Sequence, residues 1–331
     1  MQQVIAASWV LILGSLLFSS SCSDGGVEGP ADAAQDSTIT SELMSVGNDS
    51  ASRDDNGIYT YPIVINPGGR PSSNGVLSIY YTVRVLGSSS PIDVYDRNDG
   101  DPLVMRQGAN AIYPVGLDLA LPVMNEGDTY GFIIPSHLAY DTLEFSTLIP
   151  SNSIIEFEVE LVQVRAESEV VSEEATAINN YIDDALLDSL DLNPLDSVEL
   201  IGQTGAVAYK RLAAGQAGLT PQQGQLVGIT YVGRLLEDSS VFDNRFANQP
   251  FQFPFNSNTV INGLDLGIGQ MEFGEEALLI IPSFFAYRES AVVVPGFLVD
   301  EAITGLIVPD YAARVGAYQT LIFEVELLNG I

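Results

Sequence analysis

Two stretches of this 331-residue chain repeat each other and decide the fold. Residues 116–140 are GLDLALPVMNEGDTYGFIIPSHLAY, and residues 263–287 are GLDLGIGQMEFGEEALLIIPSFFAY. The offset is 147 positions throughout, without a gap, and 12 of the 25 positions are identical. A second pair follows, with FEVEL at both 157–161 and 323–327. The chain therefore contains two homologous domains.

The repeats place the two domains at residues 54–164 and 200–331, with an acidic segment, 165–199, between them. Within that segment, residues 172–190 open with a serine cap and an acidic first turn. They then place isoleucine and leucine at helical spacing. Asn193-Pro194 ends the pattern. The segment therefore predicts a helical linker between the domains.

Each domain has the pattern of an antiparallel β-sheet with one short helix. Residues 225–236 predict a strand, and the continuous apolar run 276–281 predicts another, closed by Pro282. Residues 320–328 alternate apolar and acidic side chains, which is typical of a strand with one buried face. Residues 262–271 predict a short helix across a face of the sheet. These elements indicate an α+β fold.

Composition excludes several classes of function. The chain has 43 Asp and Glu against 12 Lys and Arg, a net charge of −31. This charge argues against nucleic-acid binding, which needs clustered basic residues, and against electrostatic docking on an anionic membrane.

One cysteine and one histidine exclude a disulfide framework, a cysteine-based zinc site and a multi-histidine metal site. We expect no cofactor and no metal. The acidity fits either adaptation to high salt or an ordinary exported protein.

The amino terminus has the pattern of an export signal. Residues 4–18 form a 15-residue apolar run, shorter than a membrane-spanning helix requires. Residues 1–21 are therefore predicted to be a signal peptide. Three serines then precede Cys22, the only cysteine, and this resembles the lipobox of bacterial lipoproteins, in which the cysteine is lipidated. An ordinary cleaved signal is the alternative. Residues 22–53, polar and without period, predict a disordered tether.

The lipobox interpretation implies a location and a partner. We expect an extracytoplasmic protein that a lipid on Cys22 anchors to a bacterial membrane. The outer membrane is the favoured one, with the protein facing the periplasm or the surface.

The second domain contains five motifs in a fixed order before the last strand, 321–328: TYVGRL (230–235), VFD (241–243), QPFQF (249–253), VINGLD (260–265) and IPSFFAY (281–287). In these motifs and in their order, the domain resembles the FKBP-type peptidyl-prolyl isomerases. The resemblance implies a twisted antiparallel β-sheet wrapped around a short α-helix, with a shallow apolar pocket between them.

The first domain is a fainter copy of the same pattern. Tyr80-Tyr81-Thr82 match the first strand, and Tyr95-Asp96 are expected to replace Phe242-Asp243. Further substitutions at the pocket positions are Leu103 for Phe251 and Tyr113-Pro114 for Val260-Ile261. We therefore expect a degenerate FKBP-like domain whose pocket has lost most of its aromatic wall.

The expected chemistry needs no nucleophile, because the barrier to prolyl isomerisation is amide resonance, about 18–20 kcal/mol. A dry apolar pocket favours the twisted, less dipolar transition state. In that pocket, the resemblance implies that Asp243 pairs with the Tyr231 hydroxyl. The Tyr287 hydroxyl and the Ile261 N–H are expected to hold substrate carbonyls. The resemblance places nine residues around the substrate proline: Tyr231, Phe242, Asp243, Phe251, Val260, Ile261, Leu264, Tyr287 and Phe323.

Two departures from the family concern the pocket. Leu264 stands where the family often has tryptophan. Residues 288–319 form a long insertion in the loop that normally overhangs the pocket, 19 residues longer than its counterpart in the first domain. If Val292–Val294 or Phe297-Leu298 filled the second domain's pocket, the fold would be a scaffold.

Two functional hypotheses follow. The first is a prolyl isomerase and foldase, catalysed by the second domain, for exported polypeptides that contain proline. The alternative is a non-catalytic FKBP-like chaperone or binding lipoprotein. A purely structural lipoprotein ranks third.

Overall fold

The computed structural model describes residues 30–143, 148–182, 199–201 and 207–329. The predicted signal peptide and Cys22 lie outside these residues. Among the residues described, no helix combines the length and the apolar character that crossing a membrane requires. The chain divides into two compact units. The described part of the N-terminal unit extends to Ser172 and also includes residues 289–318. The C-terminal unit includes residues 173–288 and continues from Gln319.

Five helices and sixteen strands make up the described regular structure, apart from short 3₁₀ turns. The helices are α1 (Pro30–Ser45), α2 (Val115–Ala120), α3 (Glu167–Tyr181), α4 (Asn262–Ile268) and α5 (Val299–Thr304). The strands before α3 are β1 (Ser52–Arg53), β2 (Tyr59–Val64), β3 (Val76–Val85), β4 (Asp93–Tyr95), β5 (Leu103–Arg106), β6 (Ile112–Tyr113), β7 (Thr129–Ile134) and β8 (Ile155–Arg165). Those after it are β9 (Glu199–Ile201), β10 (Val207–Ala213), β11 (Leu226–Leu235), β12 (Val241–Arg245), β13 (Phe251–Pro254), β14 (Glu276–Ile281), β15 (Val292–Val293) and β16 (Leu321–Leu327).

The two main sheets have the same topology. The first has the order β1-β2-β7-β8-β3-β4, with β5 also paired to β3. The second has the order β9-β10-β14-β16-β11-β12, with β13 also paired to β11. The alternating burial of β8 and β16 follows their sequences, with apolar residues on the core face and glutamates towards the other face. The predicted duplication and α+β fold are confirmed.

The short helix of each repeat lies close against its sheet. In α4, a Cβ atom added at Gly263 would lie 2.2 Å from the Ile281 side chain, and one at Gly267 would lie 2.4 Å from Leu279. The glycines therefore permit a helix–sheet contact that larger residues would prevent. Leu264 and Ile268 of the same helix are buried.

The structure corrects the prediction of a disordered tether at 22–53 over residues 30–53, whereas residues 22–29 lie outside the described residues. Residues 30–45 form α1, and Ile39 and Leu43 pack against Tyr59, Ile133 and Ile154 on the first sheet. The sequence of α1 has almost no amphipathic pattern, so its stability comes from tertiary contacts rather than from periodicity.

The predicted linker helix begins earlier than expected, at Glu167 rather than Ser172, and its described part ends at Tyr181. Ile178 packs on the second sheet with Ala208, Leu278 and Ile322. The rest of the predicted linker, residues 183–198, lies outside the described residues.

The helices α1 and α3 occupy equivalent places in the two repeats. In the first, Gln35 accepts a hydrogen bond from the Ser136 N–H (2.9 Å) and donates one to its Oγ (2.7 Å). In the second, Glu174 accepts from both the N–H (2.9 Å) and the Oγ (2.7 Å) of Ser283. Each repeat therefore begins with a helix, and α3 is an element of the second repeat rather than a linker alone.

The insertion occurs in the sequence of the second domain but belongs to the N-terminal unit of the structure. Of residues 288–319, the stretch 289–318 belongs to the N-terminal unit, where β15 pairs in parallel with β6. This corrects the contiguous boundaries 54–164 and 200–331. The reason is burial: Val292, Val293, Val294 and Leu298 are at most 6% exposed within the core of that unit. The Tyr113–Pro114 and Val294–Pro295 peptide bonds are cis.

Candidate functional site

The centre of the candidate site is a hydrogen-bonded group on β11 and β12. Strand register places Tyr231 opposite Arg245 and Gly233 opposite Asp243. The Tyr231 hydroxyl donates to Asp243 Oδ2 (2.6 Å), and Arg245 Nη1 donates to Asp243 Oδ1 (3.0 Å). The Asp243 carboxylate therefore links the buried Tyr231 phenol to the Arg245 guanidinium. The pairing of Asp243 with the Tyr231 hydroxyl is the one that the sequence predicts. Both hydrogen bonds are charge-assisted.

This group keeps Tyr231 neutral. Burial raises the pKa of Tyr231 well above its ordinary value of 10.0, and the hydrogen bond to Asp243 and its negative charge raise the pKa further. The phenol is therefore a hydrogen-bond donor at every physiological pH.

An aromatic cluster surrounds the same tyrosine. The Phe323 ring centroid lies 5.5 Å from that of Tyr231 and 5.6 Å from that of Phe242. Phe251 meets Tyr231 edge to face at 6.3 Å. Gly233 makes room for one wall, because a Cβ atom there would lie 2.7 Å from the Phe242 ring. Tyr231 and Phe323 are buried, whereas Phe242 and Phe251 are partly exposed, so the cluster presents an apolar face to solvent.

The remaining predicted residues lie at the start of α4 and after β14. Val260, Ile261 and Leu264 are buried, and Ile261 is the N-cap residue of α4, so its N–H is outside the helix's own hydrogen-bond ladder. Tyr287 is partly exposed, and it lies near enough to Tyr231 to affect that residue's pKa. Contact of these four residues with a substrate proline stays a prediction.

The first domain contains an equivalent group, at a different place in the sequence from the one expected. The Tyr81 hydroxyl donates to Asp93 Oδ2 (2.8 Å), and register pairs Tyr81 with Tyr95 and Val83 with Asp93. Asp93, rather than Asp96, is therefore the counterpart of Asp243. The sequence-based prediction aligned the dipeptide Tyr95-Asp96 with Phe242-Asp243 because both are an aromatic residue followed by aspartate. Strand register, however, decides which carboxylate faces the tyrosine.

The same register identifies the other wall residues of the first domain. Ile92 precedes Asp93 as Phe242 precedes Asp243. Leu103 lies opposite Ile79 on β3, as Phe251 lies opposite Ile229 on β11, so this substitution is where the sequence placed it.

Aromatic residues of the first domain are nevertheless retained. Tyr95 stacks on Tyr81 at 5.8 Å, Tyr113 meets Tyr140 edge to face at 5.7 Å, and Phe157 is fully buried. The expected loss of the aromatic wall therefore holds at two positions, where Ile92 and Leu103 replace Phe242 and Phe251, but not for most of the wall, because Tyr81, Tyr140 and Phe157 are retained at the equivalent positions.

The insertion lies against this group. The Tyr140 hydroxyl donates to the Val294 carbonyl (2.6 Å), and the Val294 N–H donates to the Tyr113 carbonyl (2.8 Å). Tyr140 is 2% exposed, whereas its counterpart Tyr287 is partly exposed. From the sequence, the insertion was expected only against the second domain's pocket, so its contacts with the first domain were not predicted. The apolar run VVVPGFL at 292–298 was the available signal.

Among the described residues, no three His, Cys, Asp or Glu side chains form a group that could hold a metal ion. His137, the single histidine, is exposed.

Comparisons with known proteins agree with this fold. The sequence profile of the FKBP-type peptidyl-prolyl cis-trans isomerases matches residues 68–162 and 218–328. The chain belongs to this family, with two copies of its domain.

Several curated relatives match one domain's length. FK506-binding protein 1 of Candida glabrata is 38% identical over 126 residues, which cover 38% of this chain and 93% of the relative. FK506-binding protein 1A of Aspergillus fumigatus is 36% identical over 111 residues, 33% of this chain and 80% of the relative.

Two solved structures align with parts of this chain at low sequence identity. The three FKBP domains of wheat FKBP73 align over 84% of this chain and 96% of that chain, with 19% identity and a TM-score of 0.34. FkpA from Escherichia coli aligns over 41% of this chain and 62% of that chain, with 22% identity and a TM-score of 0.34.

Proposed function

We propose that this chain is an active peptidyl-prolyl cis-trans isomerase and foldase, and that the second domain is its catalyst. The observation that carries the proposal is the Tyr231–Asp243–Arg245 group beneath a partly exposed aromatic face. The relatives at 36–38% identity match a single domain, and they support the isomerase class.

Catalysis at such a site depends on exclusion of water. The planar prolyl amide is stabilised by resonance, and the twisted form has lost that resonance and is less dipolar. An apolar surface formed by Phe242, Phe251 and Phe323 therefore favours the twisted form relative to water. Each 1.4 kcal/mol of preferential stabilisation is about a tenfold increase in rate.

The polar residues have a positioning role in this proposal. Asp243 orients the Tyr231 hydroxyl and holds Arg245 at the edge of the aromatic face. Tyr287 and the Ile261 N–H hold substrate carbonyls on either side of the proline. Because none of these groups transfers a proton, the rate is expected to be flat across neutral pH.

We also propose that the chain acts on exported, proline-containing polypeptides while anchored through a lipid on Cys22. The apolar run at 4–18 followed by serines and a single cysteine supports this location. The net charge of −31 favours a soluble, hydrated domain held near a membrane by a lipid rather than by basic residues.

A proline-limited refolding assay on the whole chain tests the catalytic proposal. Phe242→Ile with Phe251→Leu copies the residues of the first domain into the second domain. We expect this double variant to lose about tenfold or more in catalysed rate, because edge-to-face aromatic contacts and enclosure are removed.

A control variant in the N-terminal unit separates catalysis from a loss of stability. Tyr61→Phe removes the 2.6 Å hydrogen bond between Tyr61 and Glu156, both in that unit, and should lower thermal stability without lowering the rate. If the wild-type chain does not accelerate refolding, the enzymatic proposal is wrong and the non-catalytic binding role replaces it. If the wall variant keeps the wild-type rate, catalysis does not depend on the second domain's aromatic face.

A further inference from the structure

The pocket positions of the first domain are occupied by residues of the same polypeptide. Tyr81, Tyr113 and Tyr140 correspond to Tyr231, Val260 and Tyr287 by strand register and by the 147-residue repeat. The insertion contacts all three: Gly296 N–H lies 3.4 Å from the Tyr81 hydroxyl, and Val294 bonds to Tyr113 and Tyr140 through its main chain. We propose that this pocket is a peptide-binding site whose ligand is the Val292–Leu298 segment of the chain itself.

The start of the segment, Val292–Val293, is bound as an extended peptide is bound by a receptor, and Gly296–Leu298 then form a 3₁₀ turn. Its main chain adds to β6, with Val292 N–H donating to the Ala111 carbonyl (2.7 Å) and Val294 N–H to the Tyr113 carbonyl (2.8 Å). Strand addition of this kind supplies affinity through backbone hydrogen bonds, and side-chain pockets supply specificity. Val294 is 0% exposed and Leu298 is 2% exposed, so both side chains are enclosed.

Polar contacts at the base of the insertion hold the segment in place. Ser290 Oγ donates to the Val315 carbonyl (2.7 Å), and this hydrogen bond joins the beginning of the insertion to its end. Arg106 Nη1 lies 3.6 Å from Glu289, and its Nη2 lies 3.6 Å from Glu167. A tethered ligand of this kind has an effective concentration on the order of millimolar, so a free peptide competes poorly.

The consequence is a division of labour between two similar domains. The first domain binds an apolar Val-Pro segment of its own chain, and its pocket is closed to clients. The second domain keeps Phe242, Phe251 and Tyr287 partly exposed. The chain therefore has two homologous peptide-binding sites, of which the first domain's is closed and the second domain's is open.

The first experiment measures peptide binding to the whole chain. The probe is a fluorescein-labelled peptide with the sequence of residues 290–299, SAVVVPGFLV, followed by fluorescence anisotropy. The variant Val292→Ser with Val294→Ser weakens the internal ligand. It is expected to bind the probe at least tenfold more tightly than the wild-type chain. Adding Tyr140→Phe should abolish that gain, whereas adding Tyr61→Phe, which removes a hydroxyl that donates to Glu156, should leave it unchanged.

The second experiment does not depend on the folding of the double-serine variant. Hydrogen exchange of the wild-type chain should show slow exchange at Val292 and Val294, whose N–H groups are bonded to β6 and the residue before it. Tyr140→Phe retains the ring and removes one hydrogen bond, so exchange should rise about tenfold or more within 290–298. Residues of β7 and β8 serve as the internal reference and should not change.

Two results overturn the proposal. One is a folded double-serine variant, shown by its circular dichroism, that binds the probe no better than the wild-type chain. The other is wild-type exchange at 290–298 as fast as in the free peptide.

Discussion

Replacement of Asp243 by leucine tests the proposed site most directly. Asp243 accepts hydrogen bonds from the Tyr231 hydroxyl at 2.6 Å and from Arg245 at 3.0 Å. Leucine has a similar size and no acceptor, so Asp243→Leu leaves the buried phenol without its partner. Arg245 keeps a hydrogen bond to the Asn244 carbonyl (2.8 Å).

The magnitude follows from the burial of each partner. A hydrogen bond to a charged group contributes about 1.5–3 kcal/mol, and an unsatisfied buried hydroxyl costs about 1–3 kcal/mol. The ion pair to the partly exposed Arg245 adds less than about 1 kcal/mol after screening by solvent. We therefore expect a loss of roughly 2 kcal/mol in the free energy of unfolding, with the fold retained. We also expect a fall of about tenfold in catalysed rate, equivalent to ~1.4 kcal/mol.

The first domain offers a matched control. Asp93→Leu removes the corresponding 2.8 Å hydrogen bond from Tyr81. Its loss of stability should be similar, but the catalysed rate should not fall, because the first domain's pocket is proposed to be closed to clients. The assay is proline-limited refolding by the whole chain, with the thermal midpoint measured on the same samples.

A double-mutant cycle separates positioning from packing. If Asp243 acts through the tyrosine hydroxyl, Tyr231→Phe and Asp243→Leu should give rate losses that are strongly non-additive. Full activity in Asp243→Leu, or an equal rate loss in Asp93→Leu, would refute the assignment of catalysis to this group.

Three further predictions concern the helices and the anchor. Burial raises the pKa of Glu174 above its ordinary 4.5, so the stability that this residue contributes is greatest below pH 4.5 and falls as the pH rises through the folded-state pKa. Glu174→Gln, which copies Gln35 of the first repeat, should remove this fall from thermal midpoints measured between pH 4 and 7. Parallel curves for the variant and the wild-type chain would contradict the prediction. Ile39→Ala should cost about 2–5 kcal/mol in chemical denaturation, because Ile39 is 1% exposed, whereas the exposed Met44→Ala should cost less than about 0.5 kcal/mol; equal effects would show that α1 does not contribute to the core. Cys22→Ala should move the protein from the membrane fraction to the soluble fraction, and continued sedimentation with membranes after a salt wash would exclude a lipid anchor there.

The duplication and the fold class could be predicted because their signals are local. The 25-residue repeat and the alternation in β8 and β16 each lie within one segment, and the side-chain period of a strand is 2. The ordered motifs also placed Tyr231 and Asp243 in the same small region. Their hydrogen bond required only adjacent antiparallel strands, which the sequence already implied.

The failures share a different physical origin. The helix α1 carries little amphipathic signal, and Ile39 becomes buried only because Tyr59, Ile133 and Ile154 meet it from remote parts of the chain. The correct partner of Tyr81 was missed because a shift of a few residues in register changes which carboxylate faces the phenol.

The sequence by itself determined that this chain contains two related antiparallel domains, each with a short glycine-containing helix, and that the second domain has an aromatic group around the pair of Tyr231 and Asp243. Only the tertiary structure decided that Val292–Leu298, which lies within the sequence of the second domain, is part of the core of the N-terminal unit. The physical reason is that repeats and periodicity are properties of neighbouring residues. The destination of an apolar insertion depends instead on which buried surface, more than a hundred residues away, has unpaired main-chain groups and space for its side chains.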